Sequence, residues 1–435
     1  GATAVLFFLV LLLIFPPEKF GQSSWYTCFG AALLFAAHPI HTEAVANIKG
    51  RDEILALMGS LSALYFALRS LCARRPALHL AGAACLFLGL MSKENAITFL
   101  ALIPLALYYF TKSSIGSTLK ATLPYAAAVI LFLLIRGSIL GWKMGAPPME
   151  FMNNPYLKWA ENQYIPYTGG ERFSTAIYTL GRYLQLLIFP HPLTHDYYPK
   201  HIDLIKPSDL RFLLPFILHL GLVVYGIWGL RKKTPLSFAV WLYLIPLSIV
   251  SNLVFPIGTH MAERLLFMPS TGFALAAALL ILPLKKREKP RQNLLTAVLI
   301  GVSILFGLRT VARNPVWKDN FTLFTSDVAV SGNSAKLRNA VAGELVTQSE
   351  REPDSLRKIT MLNQAKGHAQ KAIELHPLYT NAYLIKGNAH FYLKEYDLAI
   401  QAYRQALTIN PEYKEALQNL PLALRDGGRY YGETE

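Results

Sequence analysis

The sequence predicts an all-α membrane protein: a polytopic bundle of membrane helices followed by a short tetratricopeptide α-solenoid. Three observations carry this prediction. Hydrophobic residues make up 53% of the 435-residue chain, and the mean hydropathy is +0.32. These residues come in blocks of about 15–20, the length a helix needs to cross a hydrocarbon core about 30 Å thick. From residue 333 the blocks give way to a small-and-aromatic pattern that repeats about every 34 residues.

The first block is "GATAVLFFLVLLLIF" (1–15), and it carries no charge. "ILALMGSLSALYFAL" (54–68), "ATLPYAAAVILFLLI" (121–135) and "LLTAVLIGVSILFGL" (294–308) are equally free of charge. Basic residues gather in "RSLCARR" (69–75), "GLRKKTP" (229–235) and "LKKREKPRQ" (284–292), which the positive-inside rule places in the cytoplasm. Alternation then sends 25–41 outward, 53–68 inward, 78–91 outward, 95–110 inward and 118–140 outward. "FSTAIYTLGRYLQLLIFP" (173–190) breaks the scheme. If it crossed, two basic loops would land outside, and Arg182 and Gln185 would sit near its centre, at a cost in lipid. It is therefore read as re-entrant or interfacial. Next, 212–230 runs inward, 236–252 outward, 265–283 inward and 293–308 outward. Residues 1–310 form the membrane domain, 311–332 a linker and 333–435 the repeats, the last on the non-cytoplasmic side.

The net charge of +15 would suggest nucleic acid in a soluble protein. Here the Lys and Arg sit in short loops between apolar runs and serve topology, so no nucleic-acid partner is expected. Cys28, Cys72 and Cys85 lie in or beside apolar segments without metal-ligand spacing, which argues against a disulfide framework and a zinc site. Cys72 reads as an inert boundary cysteine, with acylation as the alternative.

Four polar stretches emerge on the outward face: "HPIHTEAVANIKGRDE" (38–53), "MSKEN" (91–95), "HPLTHDYYPKH" (191–201) and "THMAERLL" (259–266). Loops that merely wet helix ends would be built from Ser, Gly and Asn. Their His, Glu, Asp, Arg and Lys content points to the wall of one shared site. His38 and His41 with Glu43 do not have H-E-x-x-H spacing, and Pro39 interrupts any helix carrying both histidines, so no metal is assigned. A divalent metal stays open as an addition. There is no G-x-S-x-G elbow, P-loop or G-x-G-x-x-G. What remains is fixed cations (Arg51, Lys93, Arg264) beside carboxylates (Glu43, Asp52, Glu94, Asp196, Glu263). A guanidinium fork matches phosphate oxygens, and a carboxylate can act as general base on an acceptor hydroxyl. Glu263 and Arg264 have a second reading, as charges paired with others near the bilayer.

In the tail, Tyr383, Gly387, Ala399, Tyr403, Ala406 and Pro411 fit two antiparallel helices closed by a proline. The same frame gives Ala365, Ala369, Ala372 and Pro377 one repeat earlier. The opening helix of that repeat is expected at 333–348, separated by an insertion around "SEREPDSLRK". A third repeat starts at "YKEALQNLPLALRDGG". The concave groove would suit an extended peptide.

"ALLFAAHPIHTEAVANIKGRDEIL", "GLMSKENAITFLALIPLALYY", "SNLVFPIGTHMAERLLFMPSTGFAL" and "RNPVWKDNFTLF", followed by the repeats, resemble the transmembrane-and-tetratricopeptide-repeat O-mannosyltransferases. These are GT-C-type, multi-span glycosyltransferases. The resemblance covers nearly the whole chain and implies a prokaryotic relative without its N-terminus. It implies inverting transfer of a sugar, mannose in animal members, from a polyprenyl-phosphate carrier to Ser or Thr hydroxyls of a protein presented by the repeats. The membrane would be the endoplasmic reticulum or a bacterial inner membrane, with the repeats in the lumen or periplasm. By motif match His38, His41, Arg51, Lys93, Glu94 and Arg264 would bind substrate or carrier. The family's acidic catalytic residue is expected upstream of Gly1, leaving Glu43, Asp196 and Glu263 as the candidates within the chain. No cofactor is expected beyond the lipid-linked sugar donor. A membrane-anchored repeat scaffold and a transporter of a lipid-linked glycan are the rival functions.

Overall fold

The computed structural model describes residues 1–73, 75–142, 148–284 and 289–428, without the Cys72 side chain. Arg74 and residues 285–288 of the two basic loops, and the Cys72 side chain, lie outside the described residues. The chain divides into two compact units. One comprises 1–149, 156–191 and 204–315, and the other 150–155, 192–203 and 316–435.

The first unit opens with α1 (Ala2–Ile14), the short α2 (Pro17–Phe20) and α3 (Gln22–Ala37). After α4 (Thr42–Ala46) come α5 (Arg51–Ala73), α6 (Ala77–Ser92), α7 (Phe99–Phe110) and α8 (Ile115–Leu140). A two-stranded hairpin, β1 (Leu157–Ala160) and β2 (Gln163–Pro166), precedes α9 (Gly169–Ile188). The unit closes with α10 (Leu210–Lys232), α11 (Pro235–Val250), α12 (Ser270–Ile281) and α13 (Lys289–Arg313). Each block read from the sequence as a span is a helix. Among the described residues, Ile48–Leu71, Ile115–Leu140, Leu210–Lys232 and Lys289–Trp317 are long and apolar enough to cross a membrane, and five shorter apolar helices accompany them.

Side-chain burial sorts these helices. α5 packs against α1, α6 and α7, and its Leu57, Leu61 and Leu64 are at most 1% exposed. α8, α10 and α13 instead turn leucines and isoleucines outward, as helices facing lipid do. α9 is amphipathic. Thr168 and Glu171 cap it reciprocally, and Arg182 donates to Gln185 across 2.6 Å on its exposed side. It is not among the helices apolar enough to cross.

The hairpin was not anticipated. Glu161 and Asn162 take φ of +51° and +60° at its tip, the left-handed pair that a two-residue turn requires. Trp159 faces Tyr164 across the ladder with ring centroids 4.8 Å apart. Strands of four residues are too short for an alternating pattern to register.

The second unit contains α14 (Asn320–Asp327), α15 (Ala335–Arg351), α16 (Ser355–Leu375), α17 (Thr380–Tyr392), α18 (Tyr396–Ile409) and α19 (Lys414–Asp426). α14 lies inside the segment expected as linker. Asp319 caps it, accepting from the Thr322 amide at 2.8 Å. The repeat consensus has a spatial cause: Gly387 leaves room for the Tyr403 ring, whose Cε1 would lie 2.4 Å from a Cβ there. The insertion expected around 349–358 contains a break of only three residues, 352–354, between two helices. α15 continues through Arg351, and Asp354 starts α16 at once by accepting from the Leu356 and Arg357 amides. The extra residues lengthen helices, because an Asp N-cap and good helix formers follow one another there.

His376 is 5% exposed in this unit, between the rings of Phe151 and Tyr379. Burial, helped by Lys200, lowers its imidazole to about 4. A folded-state value below the ordinary ~6.5 means that the unfolded chain binds the proton first. The stabilisation is complete above pH ~6.5 and is lost as pH falls toward 4. Burial lowers His368 and His390 in the same direction. Amide exchange in α16 and α17, corrected for intrinsic rates, should accelerate between pH 7 and 5, and His376→Gln should flatten that dependence. Unchanged protection in the wild type over that interval would contradict the assignment.

Candidate functional site

Three of the four polar stretches meet in the first unit. Residues 38–53 fold as a 3-10 turn (Pro39–His41), α4, and a second 3-10 turn (Ile48–Gly50) that leads into α5. Gly50 makes this compactness possible, since a Cβ there would lie 2.4 Å from the Ala44 carbonyl oxygen. The 3-10 turn Glu263–Leu266 packs on both Pro39–His41 and α4, while Glu94–Thr98 packs on α5. α11 touches both of these turns and joins the two halves of the site.

Glu43 is 1% exposed. One carboxylate oxygen accepts from the Arg264 guanidinium, and the other accepts from the Arg264 backbone N–H at 2.8 Å. A buried carboxylate satisfied in this way fixes both the main chain and the side chain of its partner. The Arg264 side chain stays 29% exposed, and its Nε and Nη2 make no hydrogen bond to protein among the described residues. Both Glu43 oxygens are spent on Arg264, so Glu43 supports the cation and offers no free carboxylate to a substrate.

The second half is built on Glu53, which is wholly buried in the first turn of α5. Its oxygens accept from Lys93 at 2.7 Å and from Asn95 at 2.8 Å. The Lys93 ammonium also bridges to Asp52 at 3.0 Å, and both of these side chains remain partly exposed. The Glu53 charge also acts on Arg264. Glu53 and Asn95 did not stand out in the sequence. The available signal was an acidic pair in a helix's first turn, on the same face as a loop bearing a lysine.

The histidines are inside the protein. His38, 2% exposed, accepts from the Ile40 amide through Nδ1 and donates from Nε2 to the Leu187 carbonyl at 2.9 Å. His41, 5% exposed, donates from Nε2 to Ser270 at 2.8 Å, and the Ser270 hydroxyl in turn donates a hydrogen bond to the Phe267 carbonyl. With Nδ1 accepting and Nε2 donating, the His38 ring is held as a neutral imidazole. The two histidines latch the turn to α9 and α12. Tyr183 helps from α9, its hydroxyl accepting from the Ala262 amide at 2.9 Å. Asn252 pins the approach to Arg264 by donating to the Thr259 and His260 carbonyls.

Arg51 is exposed and makes no ion pair among the described residues. Glu94 is 60% exposed and pairs with Arg136 of α8 at 2.6 Å, while Glu263 is wholly buried in its 3-10 turn. Asp196 is engaged in the second unit. Its carboxylate lies 2.6 Å from the Ser334 hydroxyl at the start of α15, and burial raises its pKa. Its neighbour His195 donates to Asp327 from both backbone and ring at 2.8 Å, so this stretch is a clasp on α14 and α15. No group of three or more His, Cys, Asp or Glu placed to hold a metal occurs among the described residues. Two supported, partly exposed cations backed by buried carboxylates can hold a phosphate.

The tetratricopeptide repeat family matches residues 380–418. The chain is 29% identical to "Protein O-mannosyl-transferase Tmtc3" of Drosophila melanogaster, over 92% of this chain and 46% of that protein. It is 28% identical to "Protein O-mannosyl-transferase F38B6.6" of Caenorhabditis elegans, over 71% of this chain and 42% of that one. Human "Protein O-mannosyl-transferase TMTC3" is 27% identical over 89% of this chain and 48% of its own length. The O-mannosyltransferase resemblance read from the motifs is thus borne out: these relatives are named protein O-mannosyl-transferases. The chain spans about half the length of the curated relatives it matches.

Proposed function

We propose that this chain carries the donor-binding core of a GT-C-type protein O-mannosyltransferase. It would move mannose from a polyprenyl-phosphate carrier to Ser or Thr hydroxyls at the non-cytoplasmic face of its membrane. The observation that carries the reading is Arg264, held rigidly by a buried Glu43 and left with unspent guanidinium N–H groups at a partly open surface. A pre-oriented fork of this kind suits the carrier's phosphate, whose negative charge grows as the sugar leaves. Lys93, steadied by Glu53 and Asp52, supplies a second cation, and the exposed Arg51 a third. His38 and His41 act by holding the loop, and Glu94 by placing its charge beside Arg136. An apolar cavity of about 400 Å³, with walls including Leu180, Leu220 and Leu244 from α9, α10 and α11, offers room for a prenyl chain. The repeats would bring the acceptor polypeptide.

The test is reconstitution of the full chain in liposomes with polyprenyl-phosphate mannose and a Ser/Thr-rich acceptor peptide. Label should pass to the peptide hydroxyls. A folded chain that binds the peptide but moves no label would instead support the repeat scaffold.

A further inference from the structure

A cavity of about 830 Å³ lies between the beginnings of α3 and α13, on residues that the proposed donor site does not use. The two helices run parallel. The Ala37 carbonyl accepts from Thr310 at one end, and Leu299 presses against Gly30 midway. Toward Gln22 and Lys289 they part and enclose the cavity. Its polar wall carries Gln22, Ser23 and Tyr26 from α3, and Lys289, Gln292 and Asn293 from α13. None of these six side chains makes a hydrogen bond or ion pair to protein among the described residues, Ser23 and Gln292 accepting only through their backbone carbonyls. Among the described residues one cation and no acid line the cavity, so its charge balance favours an anion. Deeper along α13 the wall becomes apolar at Ala297 and Ile300, on a helix whose outer side is rich in exposed leucine and isoleucine.

We propose that this cavity binds the headgroup of an anionic glycerophospholipid, with an acyl chain lying along α13. The polar wall supplies neutral donors and one ammonium at headgroup height, and the apolar continuation begins where an ester-linked chain would start. A free phosphate would use the same donors but gain nothing from Ala297 and Ile300. A zwitterionic lipid would place a cation beside Lys289. The reading is independent of the proposed sugar transfer.

The full chain, purified in detergent, would be offered phosphatidylglycerol, phosphatidylcholine or inorganic phosphate, with bound lipid counted by native mass spectrometry and thermal unfolding followed in parallel. Phosphatidylglycerol should be retained over phosphatidylcholine. Loss of one cation near a lipid surface should cut that preference about fivefold in Lys289→Ala. Asn293→Ala should reduce it further, while Arg291→Ala, on the same helix but outside the lining, should retain it. Equal retention of both lipids, or an unchanged preference in Lys289→Ala, would overturn the proposal. So would inorganic phosphate raising the unfolding temperature as much as phosphatidylglycerol does, because the site would then be one for the ion alone.

Discussion

Arg264→Ala is expected to reduce mannosyl transfer by about 10²–10³-fold, the usual effect of removing one pre-oriented donor from developing negative charge. The substitution acts twice. It removes the fork proposed for the carrier phosphate, and it leaves Glu43 as a buried carboxylate without its partner. Breaking a buried pair in this way costs roughly 3–5 kcal/mol of stability. Two further variants separate the effects. Arg264→Lys keeps the charge but cannot form the two-pronged contact, so the protein should stay folded while most transfer is lost. Glu43→Gln keeps the shape and the hydrogen bond to the Arg264 amide but frees the guanidinium to swing. The pair should therefore be non-additive, with Glu43→Gln costing little once Arg264 is already Lys. The measurement is initial transfer rate per folded molecule, with folding checked by gel filtration. Full activity in folded Arg264→Lys would remove Arg264 from the mechanism.

The membrane helices were legible because block length and absence of charge are local properties, and the last two repeats because Gly387, Tyr403 and Ala406 are fixed by their mutual packing. The hairpin, α14 and the lengthened α15 and α16 were not, since each depends on a single turn or cap that no periodic pattern announces. The site was legible only as a set of loops. Glu43 and Arg264 are 221 positions apart, and Lys93 and Glu53 are 40 apart, so no spacing argument could pair them. Burial decided the rest. His38 and His41, expected to bind substrate or carrier, and Glu43, expected as a catalytic candidate, are buried and hydrogen-bonded within the fold, and Glu53, which the sequence shows only as one acid among several, lies buried between Lys93 and Asn95. Asp196 illustrates the converse. Its motif looked like part of the same wall, yet Ser334 engages it within the repeat-bearing unit.

Gly272→Val should be the most destabilising single substitution in the membrane unit. A Cβ at Gly272 would lie 2.2 Å from the Tyr243 amide nitrogen and 2.6 Å from the Ala239 carbonyl oxygen. Both obstacles are backbone, so no rotamer change relieves them, and α12 must move away from α11. Such close crossings are how membrane helices gain packing without a hydrophobic drive between them. Overpacking commonly costs about 1–3 kcal/mol, and a collision with main chain belongs at or above the top of that range. The expected fall in unfolding temperature is about 5 °C or more. Gly301→Val on α13 is the matched control, because a Cβ there meets nothing within 4 Å. The consequence also reaches the site. Ser270, two positions before Gly272, receives the His41 hydrogen bond, and the turn bearing Arg264 leads directly into α12. Displacing α12 therefore loosens the His41 latch and the Glu43–Arg264 pair together, and transfer should fall further than stability alone accounts for. If Gly272→Val proves as stable as Gly301→Val, the α11–α12 crossing is not the support on which the candidate site rests.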